Sequence, residues 1–174
     1  MNYKLDTDLM VRFYEQDFYV LSNFSSFKVF YNRIVHQTSE HAYHYAKFPG
    51  NDPSLVVIRE AILNSWSAHE AFKIAELHKE HRRPDWDDVK VDIMREILIA
   101  KASQHEYVLR KLLATGDRKL VEDSWRDDFW GWGPNQDGQN MLGKLWMEVR
   151  SRFKMDEVYR RSEAEFKRLD SLNK

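Results

Sequence analysis

The stretch TSEHAYHYAKF, residues 38–48, predicts a short helix with several reactive side chains on one face. Its opening hydroxyl residues can cap a helix, and positions three, four and seven apart then point the same way. Glu40, Tyr43, His44 and Lys47 share that face, and about two turns, roughly 10 Å, separate the backbone of the acid from that of the lysine. Long side chains can converge across this distance on one small substrate. The alternative is a solvated helix face, but the surrounding aromatic residues favour partial burial. Partly buried charged side chains must be paired or have a function.

The composition favours a single folded domain rather than a disordered or membrane-spanning chain. The 174 residues include 43% hydrophobic and 14% aromatic side chains, which is too many for disorder. Because 27 Lys and Arg nearly balance 28 Asp and Glu, the net charge of −1 gives no overall attraction to a polyanion. No apolar run approaches the roughly 20 residues that span a bilayer, and the N-terminus lacks the apolar core of a signal peptide. We expect a cytoplasmic protein with no membrane partner.

Several kinds of chemistry are disfavoured by the residues that the chain lacks. It contains no cysteine, which excludes disulfides, thiol nucleophiles and thiolate metal sites. Neither HExxH, GxxxxGK[ST], GxGxxG nor GxSxG occurs, which argues against P-loop nucleotide hydrolysis and serine acyl transfer. His41 and His44 can share a helix face, so a metal is an alternative there. Without further ligands around them, we expect no metal site and no cofactor.

The spacing of apolar residues predicts a mainly α fold, a compact multihelical domain with a small β element near the N-terminus. Strands are expected at residues 10–14 and in a hairpin, 27–31 and 34–36, whose tip is Asn32-Arg33. Caps and apolar stripes predict helices over residues 38–48, 53–64, 105–115 and 140–153, and helices that begin after Ser67 and after Asp85. A short strand is expected near 119–122, followed by an ordered loop, 124–139. Residues 1–153 then form one domain, and residues 154–174 form a charged, helical C-terminal tail.

Two further clusters can take part in binding. Arg82 and Arg83 stand just before a predicted helix, and guanidinium groups beside helical amides suit a phosphate. Trp86 at the same place can stack on a base, although a capped helix with a core tryptophan explains the cluster equally well. The loop WRDDFWGWGP, residues 125–134, is rich in Trp and Asp and can hold a planar ring. Its alternative role is to close the core.

Gly143 lies inside a predicted helix, where glycine costs about 1 kcal/mol relative to alanine. The helix tolerates this cost where something approaches closely. A neighbouring helix is the favoured explanation, and a ligand is the alternative.

A set of motifs follows in order along residues 11–153. They are FY (13–14), LSNF (21–24), TSEHAYHYAKF (38–48), RRPDWDDVK (82–90), IM (93–94), LVED (120–123), DDFWG (127–131) and NMLGKLWMEVR (140–150). As a set and in this order, they resemble the NADAR, or YbiA-like, N-glycosidase family. The resemblance covers nearly the whole chain.

This resemblance implies hydrolysis of the N-glycosidic bond between ribose and a nitrogenous ring. Members of the family cleave phosphoribosylated pyrimidine intermediates of riboflavin biosynthesis, and others remove ADP-ribose from modified guanine bases. Carried over by motif position, the catalytic residues are Glu40, Lys47 and Asp127. The expected substrate-binding residues are Asn23, Tyr43, Arg82, Arg83, Trp86, Trp130 and Asn140.

The sequence leaves the division of labour open. Glu40 and Asp127 are the two acids, and either can stabilise charge or activate water. Lys47 either holds the substrate as a cation or attacks the anomeric carbon as a neutral amine. The hypothesis requires Glu40 and Asp127 to meet in one pocket.

The partner is a small-molecule or nucleotide substrate, a ribosylated base. ADP-ribosylated DNA is a further candidate, since a single flipped nucleotide needs no long basic groove. The competing class is a non-catalytic ADP-ribose- or NAD-binding module, and no oligomeric state is predicted.

Overall fold

The structure, a computed structural model, describes residues 6–14 and 16–172. In this part of the chain the helices are α1 (Ser39–Tyr45), α2 (Pro53–Leu63), α3 (Ala68–Leu77), α4 (Trp86–Gln104), α5 (Glu106–Ala114) and α6 (Met141–Leu172). The strands are β1 (Met10–Arg12), β2 (Val29–Tyr31), β3 (Ile34–His36) and β4 (Lys119–Val121), and short 3-10 helices occupy Gln16–Leu21 and Lys79–His81. The predicted mainly α fold with a small β element is confirmed. None of the helices described is long and apolar enough to cross a membrane.

The four short strands form two separate pairs. β2 and β3 form the predicted antiparallel hairpin, and Asn32 and Arg33 at its tip have φ values of 49° and 66°. Left-handed conformations at both central residues are typical of the type I′ turn, whose twist matches that of paired strands. β1 pairs with β4 in parallel, so that Val11 lies opposite Leu120. The sequence predicted both strands of the second pair but not their partnership, which joins residues more than a hundred positions apart.

Helix α4 is the centre of the fold, because it contacts α1, α5, α6 and strand β2. Trp146 of α6 packs into the same core and donates its indole N–H to the carbonyl of Leu21 at 2.7 Å. Burying a large apolar side chain contributes about 1.5–3 kcal/mol, so this core supplies most of the stabilisation. Its largest fully buried apolar members include Phe13, Leu21, Met94, Ile97, Leu98, Leu112, Leu120 and Trp146.

Three helix starts follow the predicted cap chemistry, and a fourth does not. The side chains of Thr38, Asp52 and Ser67 accept backbone N–H groups at the starts of α1, α2 and α3. Asp85 precedes α4 but makes no cap hydrogen bond. Its carboxylate instead accepts two hydrogen bonds from Arg83, at 2.6 and 2.7 Å. The predicted Asp85 cap is therefore wrong, because a nearby guanidinium offers a stronger, two-pronged partner.

Helix α6 joins the predicted helix and the predicted helical tail, and the neighbour of its glycine differs from the favoured one. A Cβ atom on Gly143 would lie 2.2 Å from the carbonyl oxygen of Leu120, so strand β4 approaches here, and the favoured explanation of a neighbouring helix is wrong. The helix continues past residue 153 to Leu172. Charged pairs one turn apart, such as Arg161 with Glu157, support its extension. Residues 173 and 174 of the expected tail lie outside the described residues.

Candidate active site

A cavity of ≈ 460 Å³ lies where α1 and the 3-10 helix at Gln16–Leu21 meet the loop after β4. Three of its lining residues are carboxylic acids, namely Glu40, Glu122 and Asp127. Among the lining residues described, Arg126 is the one lysine or arginine, and it is exposed and stacked on Trp125. The other lining residues are Tyr14, Tyr19, Ser22, Asn23, Phe24, Tyr43, His69, Phe72, Met94, Ser124, Trp130 and Leu142. The cavity is thus acidic and largely aromatic, which suits a cationic group between planar walls.

Glu40 is presented by helix α1 and is held by the histidine one turn later. Only 8% of Glu40 is exposed, and its Oε1 lies 2.7 Å from Nε2 of the buried His44. Burial lowers the pKa of His44, although the carboxylate opposes this effect. A neutral imidazole that carries its proton on Nε2 therefore donates to Glu40. This bond fixes one oxygen of the carboxylate and leaves the other for a ligand.

Asp127 is presented by the irregular loop and also organises that loop. Its Oδ1 accepts backbone N–H groups from Phe129 at 2.9 Å and from Trp130 at 2.7 Å. One oxygen thus has a structural role, and Oδ2 makes none of these bonds. The requirement that Glu40 and Asp127 line one cavity is met.

The loop is held against the core by contacts that involve small and amide side chains. Asn140 is 5% exposed, with Oδ1 accepting the N–H of Glu122 at 2.9 Å and Nδ2 donating to the carbonyl of Leu120 at 2.9 Å. A Cβ atom on Gly131 would approach the carbonyl oxygens of Asp127 and Glu122 to 2.9 and 3.0 Å. Asn140 is not among the lining residues, so the structure places it behind the cavity as a clamp on the end of β4.

Lys47 lies against the aromatic residues beside the cavity. The ring of Tyr43 lies 5.4 Å from that of Trp130 and 4.9 Å from that of Trp86, which is 2% exposed. Nζ of Lys47 lies 5.4 Å from the Tyr43 ring and 5.7 Å from the Trp86 ring. Tyr43 and Trp130 line the cavity, whereas Lys47 and Trp86 contact Tyr43 without being among the lining residues.

Lys47 is buried next to an acid that is half in solvent. The residue is 6% exposed, and its Nζ lies 3.5 Å from Oε1 of Glu76. Burial lowers the pKa of Lys47, whereas the charges of Glu76 and Glu40 act to raise it. The surroundings therefore favour the neutral amine more than water does.

Arg82 and Arg83 also lie outside the cavity lining. The Arg82 guanidinium lies 3.4 Å from a carboxylate oxygen of Asp87, and Arg83 is paired with Asp85. The backbone N–H of Arg83 donates to the carbonyl of Lys47 at 2.9 Å, which joins the start of α4 to the end of α1. The predicted set is therefore split: Asn23, Glu40, Tyr43, Asp127 and Trp130 line the cavity, while Lys47, Arg82, Arg83, Trp86 and Asn140 lie outside its lining.

Glu122 is the cavity residue to which the sequence reasoning assigned no role. It follows β4 directly and is 7% exposed, and its buried Oε2 has no hydrogen-bond partner among the described residues. Burial raises the pKa of Glu122 well above the usual carboxyl value, and the charges of Glu40 and Asp127 add to the rise. The sequence signal was an acid that directly follows two apolar strand residues in LVED.

Two other features lie outside the cavity: a second hollow that adjoins it and a surface cluster of possible metal ligands. A second hollow of ≈ 740 Å³ shares Tyr19, Phe24 and His69 with it. Separately, His78, Glu80 and His81 bring ligand atoms within 4.8 Å of one another, on an exposed turn outside the cavity lining.

Comparison with known proteins identifies the relatives of this chain. The NADAR domain family matches residues 11–154. A protein of Nostoc punctiforme named as an N-glycosidase is 36% identical over 144 residues, which cover 82% of this chain and 91% of that protein. A protein of Vibrio vulnificus named as a riboflavin biosynthesis protein is 35% identical over 142 residues, 80% of this chain but only 37% of that longer protein.

A solved structure resembles the fold described above. The NMR structure of YbiA from Escherichia coli matches with a TM-score of 0.77 and 32% identity, covering 88% of this chain and 89% of YbiA. The curated sequence of that protein is named N-glycosidase YbiA. Sequence motifs, fold and full-length relatives all agree, so the chain belongs to the NADAR family.

Proposed function

We propose that this protein is an N-glycosidase, which hydrolyses the ribosyl C–N bond of a phospho- or ADP-ribosylated nitrogenous base. One observation carries the proposal: Glu40 and Asp127 line one small cavity with aromatic walls, although 87 positions separate them in the sequence. The N-glycosidase names of the relatives from Nostoc punctiforme and Escherichia coli support the same activity.

The chemistry follows from the charge that appears when the bond breaks. As the C–N bond lengthens, positive charge develops on the anomeric carbon, and fixed carboxylates nearby lower the energy of that state. His44 holds one oxygen of Glu40, and two backbone amides hold one oxygen of Asp127. Each acid therefore keeps one oxygen to face the sugar or to accept a proton from the attacking water.

The remaining cavity residues suit a sugar bound to a planar ring. Tyr43 and Trp130 meet edge to face and can wall the leaving base. Asn23 is 6% exposed, and its buried Oδ1 has no partner among the described residues, so it can accept a hydrogen bond from a ribose hydroxyl. Trp86 and Asn140 support these walls from behind.

Two roles for Lys47 fit its position beside Tyr43. As a cation it holds a ribose hydroxyl or phosphate of the substrate. As a neutral amine it attacks the anomeric carbon to give a Schiff base with the opened ribose, which water then cleaves. Burial favours the neutral amine and Glu76 opposes it. Borohydride reduction during turnover, followed by mass spectrometry, distinguishes the roles: a ribosyl adduct on Lys47 supports attack, and its absence leaves the electrostatic role.

We propose a substrate larger than a nucleoside, because the second hollow adjoins the cavity at Tyr19, Phe24 and His69. A riboflavin biosynthesis intermediate and ADP-ribosyl-guanine both carry phosphates that need such space. ADP-ribosylated DNA is included as a flipped single nucleotide. Arg82 and Arg83 contribute to phosphate binding only if they exchange their present acidic partners. A cytoplasmic location, where such substrates arise, belongs to the same proposal.

The decisive experiment incubates the purified protein with each substrate class and follows free base and free sugar phosphate by chromatography. We expect release of base from one class by the native protein, and a loss of about 100- to 1,000-fold for Glu40→Gln, which retains the shape of the side chain. Calorimetry then measures ligand binding by the inactive variant. Binding without turnover by the native protein would instead favour the non-catalytic module, and undiminished turnover by Glu40→Gln would refute the assigned acid.

A further inference from the structure

Three carboxyl groups line the cavity, and their surroundings differ. Glu40 receives a hydrogen bond from His44, and Asp127 receives two from backbone amides. Glu122 has a buried oxygen without a donor, and no lysine or arginine among the described residues lies within ion-pair distance of it. A carboxylate in such a place is strongly disfavoured, whereas a neutral carboxylic acid needs less compensation.

From this geometry we propose that Glu122 is a third catalytic acid and the proton donor to the leaving nitrogen, an inference that rests on the proposed glycosidase function. The raised pKa of Glu122 agrees with this role, because the acid stays protonated above the usual carboxyl range. Glu40 and Asp127, which both receive donors, remain the charged partners of the sugar.

The step balances without a further reactant. The electron pair of the C–N bond moves to the nitrogen, which takes the Glu122 proton and leaves as the neutral base. Water adds its oxygen to the anomeric carbon and gives one proton to Glu40 or Asp127. That acid then releases the proton to solvent, and a solvent proton restores Glu122, so the sum is one water consumed and one N–H and one sugar hydroxyl formed.

The position of Glu122 is set by the strand and its clamp. Its backbone N–H is held by Asn140 at 2.9 Å, and its carbonyl oxygen accepts the N–H of Trp132 at 3.3 Å. The neighbouring Asp123 is used elsewhere, since it binds Arg12 and the indole of Trp132. The titratable groups that act on Glu122 or respond to it are Tyr19, Glu40, Lys101, Asp123 and Asp127.

The test measures kcat against pH for the native protein and for Glu122→Gln, with a series of substrates whose bases carry increasingly electron-withdrawing groups. We expect the native kcat to fall as pH rises through the pKa of Glu122, and this alkaline limb to vanish in Glu122→Gln. The kcat of the variant should fall about 100-fold or more with the poorest leaving group and little with the best, because a good leaving group needs no proton. Glu148→Gln is the matched control, an exposed acid of α6 paired with Arg95.

The outcomes separate this inference from the function on which it rests. The native protein can release base while Glu122→Gln keeps the alkaline limb, or loses kcat by the same factor with every leaving group. Either result contradicts the proton-donor role alone. A native protein that releases no base from any substrate overturns both. If Glu122→Gln does not fold, the native protein still decides: a pH limb that is equally steep for good and poor leaving groups contradicts the role.

Discussion

Helix α1 and the loop after β4 bring acids to the same cavity by different means. On α1, Glu40 and His44 meet because residues four apart share a helix face, and the Thr38 cap fixes where the helix begins. In the loop, Asp127 takes its position from backbone bonds that it makes itself, and from Asn140 and the close packing at Gly131. On α1, the residue that caps the helix and the residue that supplies the acid are different. In the loop, the same carboxylate accepts the structural hydrogen bonds and lines the cavity.

The largest expected difference between the two regions appears when each acid is removed entirely. Glu40→Ala and Asp127→Ala should both lower kcat by about 100- to 1,000-fold, since each loses a charge at the developing cation. Asp127→Ala should lower the melting temperature by several degrees and by more than Glu40→Ala, because two backbone donors of the loop lose their acceptor, whereas on α1 only His44 does. Steady-state kinetics and thermal unfolding measure the two effects.

Asp127→Asn sharpens this comparison, because it keeps an oxygen for the two amides and removes the charge. It should match Asp127→Ala in kcat and the native protein in melting temperature. Equal destabilisation by Asn and Ala would show that the charge, rather than the hydrogen-bond geometry, holds the loop.

The contact between α6 and β4 provides the next largest effect. Gly143→Ala places a methyl group where the Leu120 carbonyl oxygen now lies 2.2 Å away, so the strand must move. We expect a loss of about 1–3 kcal/mol in the free energy of unfolding, measured with urea, although alanine is the better helix former. Ser151→Ala, on an exposed face of the same helix, is the control and should change stability little.

Lys101 holds the turn at residues 22–25, on the other side of the cavity, and its titration should affect stability. The side chain is fully buried and donates to the carbonyl of Ser22 at 2.9 Å and to Oγ of Ser25 at 2.7 Å. Burial lowers the pKa of Lys101 to about 7, whereas an unfolded chain keeps a value near 10.4. Between these values the unfolded chain binds a proton that the folded protein has released, so the free energy of unfolding should rise with pH.

Lys101→Met should remove this rise, which is at most about 1.4 kcal/mol per pH unit. Urea unfolding between pH 7 and pH 10 measures the slope, and Lys144→Met, on the exposed surface of α6, is the control. Identical slopes in native protein and Lys101→Met would contradict the lowered pKa.

The smallest expected effect is that of the cap on α1. Thr38 accepts the N–H of His41 at 3.3 Å, and its hydroxyl also meets Nδ1 of that histidine at 2.8 Å. Thr38→Ala should cost about 1 kcal/mol of stability, and Thr38→Ser should restore most of it. Since the helix sets the Glu40–His44 geometry by its own repeat, kcat should change less than in any variant of the loop.

The sequence predicted the regular elements well because their causes are local. The hairpin at Asn32-Arg33, the caps at Thr38, Asp52 and Ser67 and the mainly α class depend on a few neighbouring residues. The predicted cap hydrogen bond of Asp85 is absent because its carboxylate binds Arg83, two positions away. A cap pattern does not include such a competing partner. The predicted helix at 140–153 and the predicted helical tail form one continuous helix as far as Leu172, because no proline or glycine interrupts the chain after residue 153.

In the candidate site, too, the features with local causes were predicted and those that depend on distant contacts were not. The sequence determined which acids and aromatic residues were available and that Glu40 and His44 share a helix face, because spacing along a helix is fixed by its repeat. Only the tertiary structure decided that Glu122 joins Glu40 and Asp127, that Asn140 clamps a strand, and that Lys47 and Trp86 stand behind Tyr43. These relations depend on the parallel pairing of β1 with β4 and on a glycine that admits a carbonyl. Contacts between residues so distant along the chain leave no local pattern from which to predict them.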